Sequence, residues 1–233
     1  MRKEIFLKSL GVKMKLAEIK KLNIHEFVER YPFVQTVSVN GEKCFYKEDD
    51  GKIKAGDPMV EFGPGHEFGG WTDILYCWAE KVKPFYDKMS QEQKDSFFIT
   101  ELKEKYGDMR LYLSCYPTNE FEKISDYTKM VEHLSTFTCL GCGKITKSSN
   151  GKKLFSWRTR GWITYQCKDC AKKYLRKDNE DYNIKMSKEK FKKVFNDTYK
   201  KVEGDWFARF TSYNKDKKEF LKYDCRELLE GMF

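Results

Sequence analysis

Cys139-Leu140-Gly141-Cys142-Gly143-Lys144 and Cys167-Lys168-Asp169-Cys170 are two cysteine pairs of one form, with residues 143 to 166 between them. A two-residue gap lets both thiolates of a tight turn point at one ion. Two such turns complete a tetrahedral sulfur site with Zn–S near ~2.3 Å. Gly141 and Gly143 suit a turn whose amides bend toward sulfur and whose backbone takes positive φ. Between the pairs, residues 154 to 160 and 162 to 166 read as two strands of a hairpin around Gly161, and residues 170 to 177 read as a short helix. Turn, hairpin and turn together describe a zinc ribbon. Four cysteines fill the coordination shell and leave no place for water or substrate, so the expected Zn²⁺ is structural. The bland alternative is two unrelated pairs of reduced or disulfide-bonded cysteines.

The composition fits a folded chain. Its 233 residues are 40% hydrophobic and 16% aromatic, enough for a real core in one large domain or two small ones. No apolar run approaches the roughly 20 residues of a membrane span. The opening Met1-Arg2-Lys3-Glu4-Ile5-Phe6-Leu7-Lys8 is charged and lacks the apolar stretch of a secretory signal. A cytoplasmic protein with no membrane partner is expected. In that reducing setting the remaining cysteines, Cys44, Cys77, Cys115 and Cys225, read as buried small hydrophobes rather than nucleophiles.

Charge is uneven. The formal net charge is +9, and residues 144 to 222 hold 23 Lys+Arg against 10 Asp+Glu, so the whole excess lies in the ribbon and the tail after it. A basic half attracts nucleic acid, an anionic ligand or an acidic protein. Lysine-rich composition alone is the dull explanation.

The rest of the chain reads as α+β, with small antiparallel sheets, helices and the ribbon. Residues 3 to 31 have helical periodicity that Pro32 ends. Residues 33 to 39 and 42 to 46 alternate around Asn40-Gly41, a strong hairpin signal. A solvated turn at 48 to 52, a short strand at 59 to 62 and a glycine-rich stretch at 63 to 71 come next. Those glycines let the backbone approach a packed aromatic, a ligand or the next helix. His66 beside Glu67 reads as a surface pair rather than an active site. Residues 71 to 89 form an aromatic amphipathic helix that Pro84 should kink or shorten. Ser90 and Gln93 have capping-box spacing. Residues 97 to 105 and 109 to 114 make a second hairpin, in which Ile99 and Leu102 share a face only if a bulge intervenes. A helix over 120 to 135 leads into the first cysteine turn, and another is expected over 187 to 201. These readings divide the chain into an α+β region with two β-hairpins (1–136), the zinc ribbon (137–180) and a basic helical C-terminal extension (181–233).

The order Gly70-Trp71, Glu101-Leu102-Lys103-Glu104-Lys105-Tyr106-Gly107, Met109-Arg110-Leu111-Tyr112, Cys139-Leu140-Gly141-Cys142-Gly143, Gly161-Trp162 resembles a family of small, mostly uncharacterised zinc-ribbon proteins encoded by bacteriophages and prophages. The resemblance covers under half the chain; the N-terminal hairpin region and the basic C-terminal extension depart from it. It implies a viral origin, a host-cell cytoplasmic location and a zinc site, and it implies no activity.

Known zinc chemistries fail on spacing. A deaminase needs His-x-Glu and Pro-Cys-x-x-Cys, and a nuclease framed by two cysteine turns needs histidines between them. The histidines are His25, His66 and His133, none of them between Cys142 and Cys167. A non-enzymatic phage accessory protein that binds nucleic acid or a host protein is therefore expected. Its candidate contacts are Trp157, Arg158, Arg160, Trp162, Tyr165 and Lys168, cationic and aromatic groups interleaved for stacking and phosphate neutralisation. Trp157 and Trp162 serve equally as core residues around the metal. The alternative is an anti-defence protein that sequesters or degrades a nucleotide signal. Its ligand face would be Lys103, Lys105, Tyr106, Arg110 and Tyr112 on the second hairpin, a set that otherwise reads as a solvated face with Lys–Glu pairs.

Overall fold

The computed structural model describes residues 13–22, 24–34, 45–47, 53–55, 69–114, 122–181, 185–214 and 219–233. In chain order these hold α1 (Leu16–Ile19), α2 (Ile24–Arg30), a 3₁₀ turn (Pro32–Val34), β1 (Phe45–Lys47) and β2 (Ile53–Ala55). A second 3₁₀ turn (Gly69–Trp71) opens α3 (Thr72–Asp87), followed by α4 (Gln91–Ser96), β3 (Ile99–Lys105), β4 (Asp108–Leu113) and α5 (Glu122–Ser135). Then come β5 (Leu154–Thr159), β6 (Tyr165–Gln166), α6 (Lys168–Asp181), α7 (Lys188–Thr198), β7 (Tyr199–Gly204), β8 (Phe207–Asn214), β9 (Glu219–Asp224) and α8 (Arg226–Leu229). The fold is α+β, with small antiparallel sheets packed among helices.

α3 and α5 are the centre. The apolar stripe of α3 buries Ile74, Leu75, Trp78 and Val82, and α5 answers with Ile124, Met130, Val131 and Leu134. Both indoles keep a partner: Trp71 donates to the Ser135 carbonyl at 3.1 Å and Trp78 to Thr128 Oγ1 at 3.1 Å. Pro84 lies inside α3 on its exposed side, and the helix runs on to Asp87. The expected shortening at Pro84 does not occur.

The β3–β4 hairpin covers one side of this pair. Its register shifts between Ile99 and Glu101, and the bulge turns both Ile99 and Leu102 into the core beside Met109, Leu111 and Leu113. Ser90 caps α4 as its spacing predicts: Gln93 N–H donates to Ser90 Oγ at 3.2 Å and Ser90 N–H to Gln93 Oε1 at 2.8 Å.

One expectation is corrected at the N-terminal side. Phe33 and Val34 belong to a 3₁₀ turn, not a strand, because Phe33 is drawn into an aromatic cluster with Trp78, Tyr86 and Phe97. The first hairpin pairs β1 with β2, Phe45 opposite Ala55. Asn40-Gly41, the turn at 48 to 52, the strand at 59 to 62 and His66-Glu67 lie outside the described residues.

The C-terminal extension is corrected most. Its long helix stops at Thr198, and among the described residues just one short turn, Arg226–Leu229, follows; Tyr199 is already extended, at φ −118° and ψ 145°, and begins β7. β7 pairs along all of β5, from Leu154 opposite Gly204 to Thr159 opposite Tyr199, giving the sheet order β6–β5–β7. β8 and β9 form another hairpin. One core cluster contains Ile74 and Leu134, Leu140 and Leu154, and also Trp206, Cys225, Leu228 and Met232. The division at 136 and 180 therefore cuts through a single core. A satellite cluster of Ala171, Leu175, Phe195 and Tyr199 lies across the ribbon sheet, with Trp157 packed on it.

Candidate metal centre

Four segments converge to build the site. The chain leaves α5 through Thr138, which bridges antiparallel to Ile145 and so folds residues between them into the first cysteine turn. Within that turn Cys139 N–H donates to the Lys144 carbonyl at 3.0 Å and Gly143 N–H to the Cys139 carbonyl at 2.8 Å. Gly143 takes φ +72°, the left-handed region that its lack of a side chain permits. Leu140 N–H donates to the Tyr165 carbonyl at 3.1 Å and ties this turn to β6. Cys167 comes directly after β6, and Cys170 lies in the first turn of α6, where its N–H points at Cys167 Sγ from 3.4 Å.

Gly70 supplies the floor. A Cβ there would stand 2.1 Å from the Cys139 carbonyl oxygen and 2.3 Å from that of Leu140. Gly70, near the end of the glycine-rich stretch, thus approaches the backbone of the first cysteine turn, while residues 63–68 lie outside the described residues. Gly70 N–H also donates to the Leu140 carbonyl at 2.9 Å.

The Sγ atoms of Cys139, Cys142, Cys167 and Cys170 all lie within 4.8 Å of one another, which brings the predicted ligand set together. Cys142 and Cys167 are 3.8 Å apart at sulfur. That matches the edge of about 3.8 Å in a tetrahedron with metal–sulfur bonds of about 2.3 Å. The donor set fits a metal ion. Cys139 and Cys167 are buried, Cys170 half-buried and Cys142 exposed. Burial pushes the Cys139 thiol up to about 11. Burial also works against ionisation of Cys167, but the Cys170 amide and neighbouring thiols outweigh it and hold that thiol below its ordinary value. Outside the cluster, burial pushes Cys77 and Cys225 up to about 12, and both behave as the small hydrophobes expected. Cys44 and Cys115 lie outside the described residues.

The six ribbon residues proposed for nucleic acid do not share a surface. Strand alternation sends Trp157 to the satellite-cluster side and Arg158 to the opposite one, where it pairs in register with Tyr165 and Lys200. Tyr165 packs on the β3–β4 turn: a Cβ on Gly107 (φ +83°) would come within 2.7 Å of its ring. Trp162 is 83% exposed at the hairpin tip, next to exposed Arg160, whose Nε donates to the Asn196 carbonyl at 3.4 Å. Lys168 is exposed at the start of α6, its Nζ 5.8 Å from the Trp157 ring centre. Arg160, Trp162 and Lys168 thus face solvent, together with Lys173, Arg176 and Lys177 of α6 and Lys190, Lys192 and Lys193 of α7.

The second hairpin does gather Lys103, Lys105, Arg110 and Tyr112 on one face, through the pairs Glu101/Tyr112, Lys103/Arg110 and Lys105/Asp108. Its cations are largely engaged. Lys103 pairs with Glu101 at 2.7 Å and lies over Tyr112; Arg110 pairs with Asp108 at 3.0 Å; Lys105 lies over exposed Tyr106.

A cleft beside the first cysteine turn lies beyond the reach of the motifs. Its walls include Gln166, Tyr174 and Asp178. The legible signal is Tyr174 and Asp178 one helical turn apart, a spacing that puts both on one side of α6. No helix among the described residues is long and apolar enough to cross a membrane. No family model, curated protein or solved structure matches the chain, so what it does is argued from its own residues.

Proposed function

We propose that the chain is a non-enzymatic, nucleic-acid-binding accessory protein of bacteriophage type, with one structural Zn²⁺ in its cysteine cluster. Zinc is the ion that a closed tetrahedral set of four thiolates takes without further demands on geometry. It would lock the first cysteine turn to the start of α6 and so fix the sheet that presents the hairpin tip.

The observation that carries the binding reading is the exposed Trp162, at 83%, on the same hairpin tip as exposed Arg160, in a chain whose α6 and α7 also carry exposed lysines. A large ring left in water beside a cation suits a base stacked on the indole with phosphates neutralised alongside. The nucleotide-capture reading has less support, since Lys103 and Arg110 already have carboxylate partners.

Anisotropy titration of labelled single-stranded DNA and RNA at several salt concentrations tests the proposal. Log affinity should fall linearly with log salt, by about 0.7 for each phosphate neutralised. Combined Arg160→Glu and Lys168→Glu should weaken binding at least tenfold. Absence of binding, or binding indifferent to salt, overturns the reading and leaves a host protein as the partner to seek. Metal analysis of the purified chain should find one zinc per chain; iron, or no metal under reducing conditions, overturns the zinc assignment.

A further inference from the structure

A cleft of about 820 Å³ opens between the first cysteine turn and the start of α3. That is the size of a small-molecule site. Its walls bring together Asp73 and Tyr76 of α3, Gln166 at the end of β6, Tyr174 and Asp178 of α6, and Tyr199 at the start of β7. Tyr174 lies against the cysteine turn itself, 3.4 Å from where a Cβ on Gly141 would be.

The charge of this cleft runs opposite to that of the protein. Asp73 and Asp178 line it against one lysine, Lys20, which pairs with Asp73 at 2.9 Å in a half-exposed contact. Asp178 is exposed and makes no ion pair among the described residues. Cys142 adds no positive charge, and four metal-bound thiolates would add negative charge. Anionic ligands are disfavoured here, while a cation gains both a carboxylate and the electron-rich faces of tyrosine rings. Burial and then the nearby Asp178 charge hold the Tyr199 phenol above its ordinary pKa, so it stays a neutral donor.

Gln166 offers a second contact. It is 6% exposed and lines the cleft, and its side-chain oxygen accepts from the Tyr199 hydroxyl at 3.4 Å. Its amide NH₂ donates to no described residue. That donor lines an open cleft that water reaches, and it is available to an acceptor on a ligand.

We propose that the cleft binds a guanidinium or ammonium group carried near a carbonyl oxygen, that is, an arginine- or lysine-like ligand. The cation sits by Asp178 among the tyrosine rings, and the carbonyl accepts from Gln166. The same chemistry is offered by a free amino acid and by a basic residue within a peptide.

Calorimetric titration of the metal-loaded full chain with free L-arginine and with N-acetyl-arginine amide separates these sources; L-glutamate and AMP serve as anionic controls. At least one cationic probe should bind, and the tighter of the two names the source. Asp178→Asn, an exposed change on a helix, should weaken that binding about tenfold. Tyr174→Leu should weaken it several-fold, and Tyr174→Phe should restore it, since the ring face is what the cation uses. Failure of both cationic probes at millimolar concentration overturns the proposal. So does equal binding of glutamate or AMP, or unchanged arginine binding in Asp178→Asn. None of these outcomes bears on the salt-dependent binding of nucleic acid.

Discussion

The Arg30 guanidinium and the Glu80 carboxylate meet at 3.0 Å with 2% and 3% of their side chains exposed. Glu80 also accepts from Tyr31 Oη at 2.5 Å and from Met14 N–H at 2.7 Å, so α3 holds the N-terminal segment through one carboxylate. Burial, followed by the Glu80 charge, keeps the Tyr31 phenol far above its usual pKa and therefore a donor. Glu80→Ala takes a carboxylate partner from the buried Arg30 guanidinium and the acceptor from Tyr31 Oη and Met14 N–H, and should cost about 3–5 kcal/mol. Replacing Arg30 and Glu80 together by Met should cost less than that single change. Urea unfolding of the three proteins measures both; equal losses would mean that the pair contributes only by packing.

Gly70→Ala forces a methyl group to within 2.1–2.5 Å of the Cys139 and Leu140 backbone. Neither side can yield cheaply, because α3 begins at Thr72 and the cysteine turn is hydrogen-bonded to β6. A loss of at least about 2 kcal/mol is expected. Metal retention against a chelator should fall in parallel, while alanine at Gly161, where nothing lies within 4 Å, should leave both unchanged.

Trp162→Ala separates binding from stability. The exposed ring packs on little, so the melting temperature should stay within the range of about 0.5 kcal/mol. Affinity for single-stranded nucleic acid should drop by about 1–3 kcal/mol, the usual worth of one stacked base. A change in melting with no change in affinity would refute its role.

Asp108 should give stability a pH slope. Burial first, with Glu104 and Glu132 nearby, raises its carboxyl from 3.8 to about 6 despite Arg110. Between about pH 4 and 6 the folded chain then holds a proton that the unfolded chain has released, and stability falls as pH rises. Asp108→Asn removes that slope. Relative to the parent it should gain about 1–2 kcal/mol between pH 4 and pH 7, read by urea unfolding at both values.

Local rules were legible where few residues decide. The cysteine spacing foretold the four-thiol cluster, Ser90 and Gln93 the capped turn, and the misfit of Ile99 with Leu102 the bulge. β7 was hidden because Phe191, Val194, Phe195 and Tyr199 carry the helical period past the helix end, while the partner that makes Tyr199–Gly204 a strand lies some 40 residues earlier, in β5. The split of Trp157 from Trp162 was equally invisible. Both are tryptophans of one hairpin, and only the satellite cluster behind the sheet distinguishes them. The arginine-type cleft is lined from Lys20 to Tyr199, by segments far apart in the chain, so no window of sequence contains it.

The edge that β7 covers has a practical consequence for anyone wishing to isolate the cysteine-bearing unit. A fragment ended near residue 180 would leave the whole length of β5 without its neighbour, with Leu154 and Trp157 stripped of cover. Such an open rim invites self-association. The segment after residue 180 is a building part of the cysteine-bearing sheet, and it reaches back to α1 through the Met232 carbonyl, which accepts from Leu16 N–H at 2.7 Å.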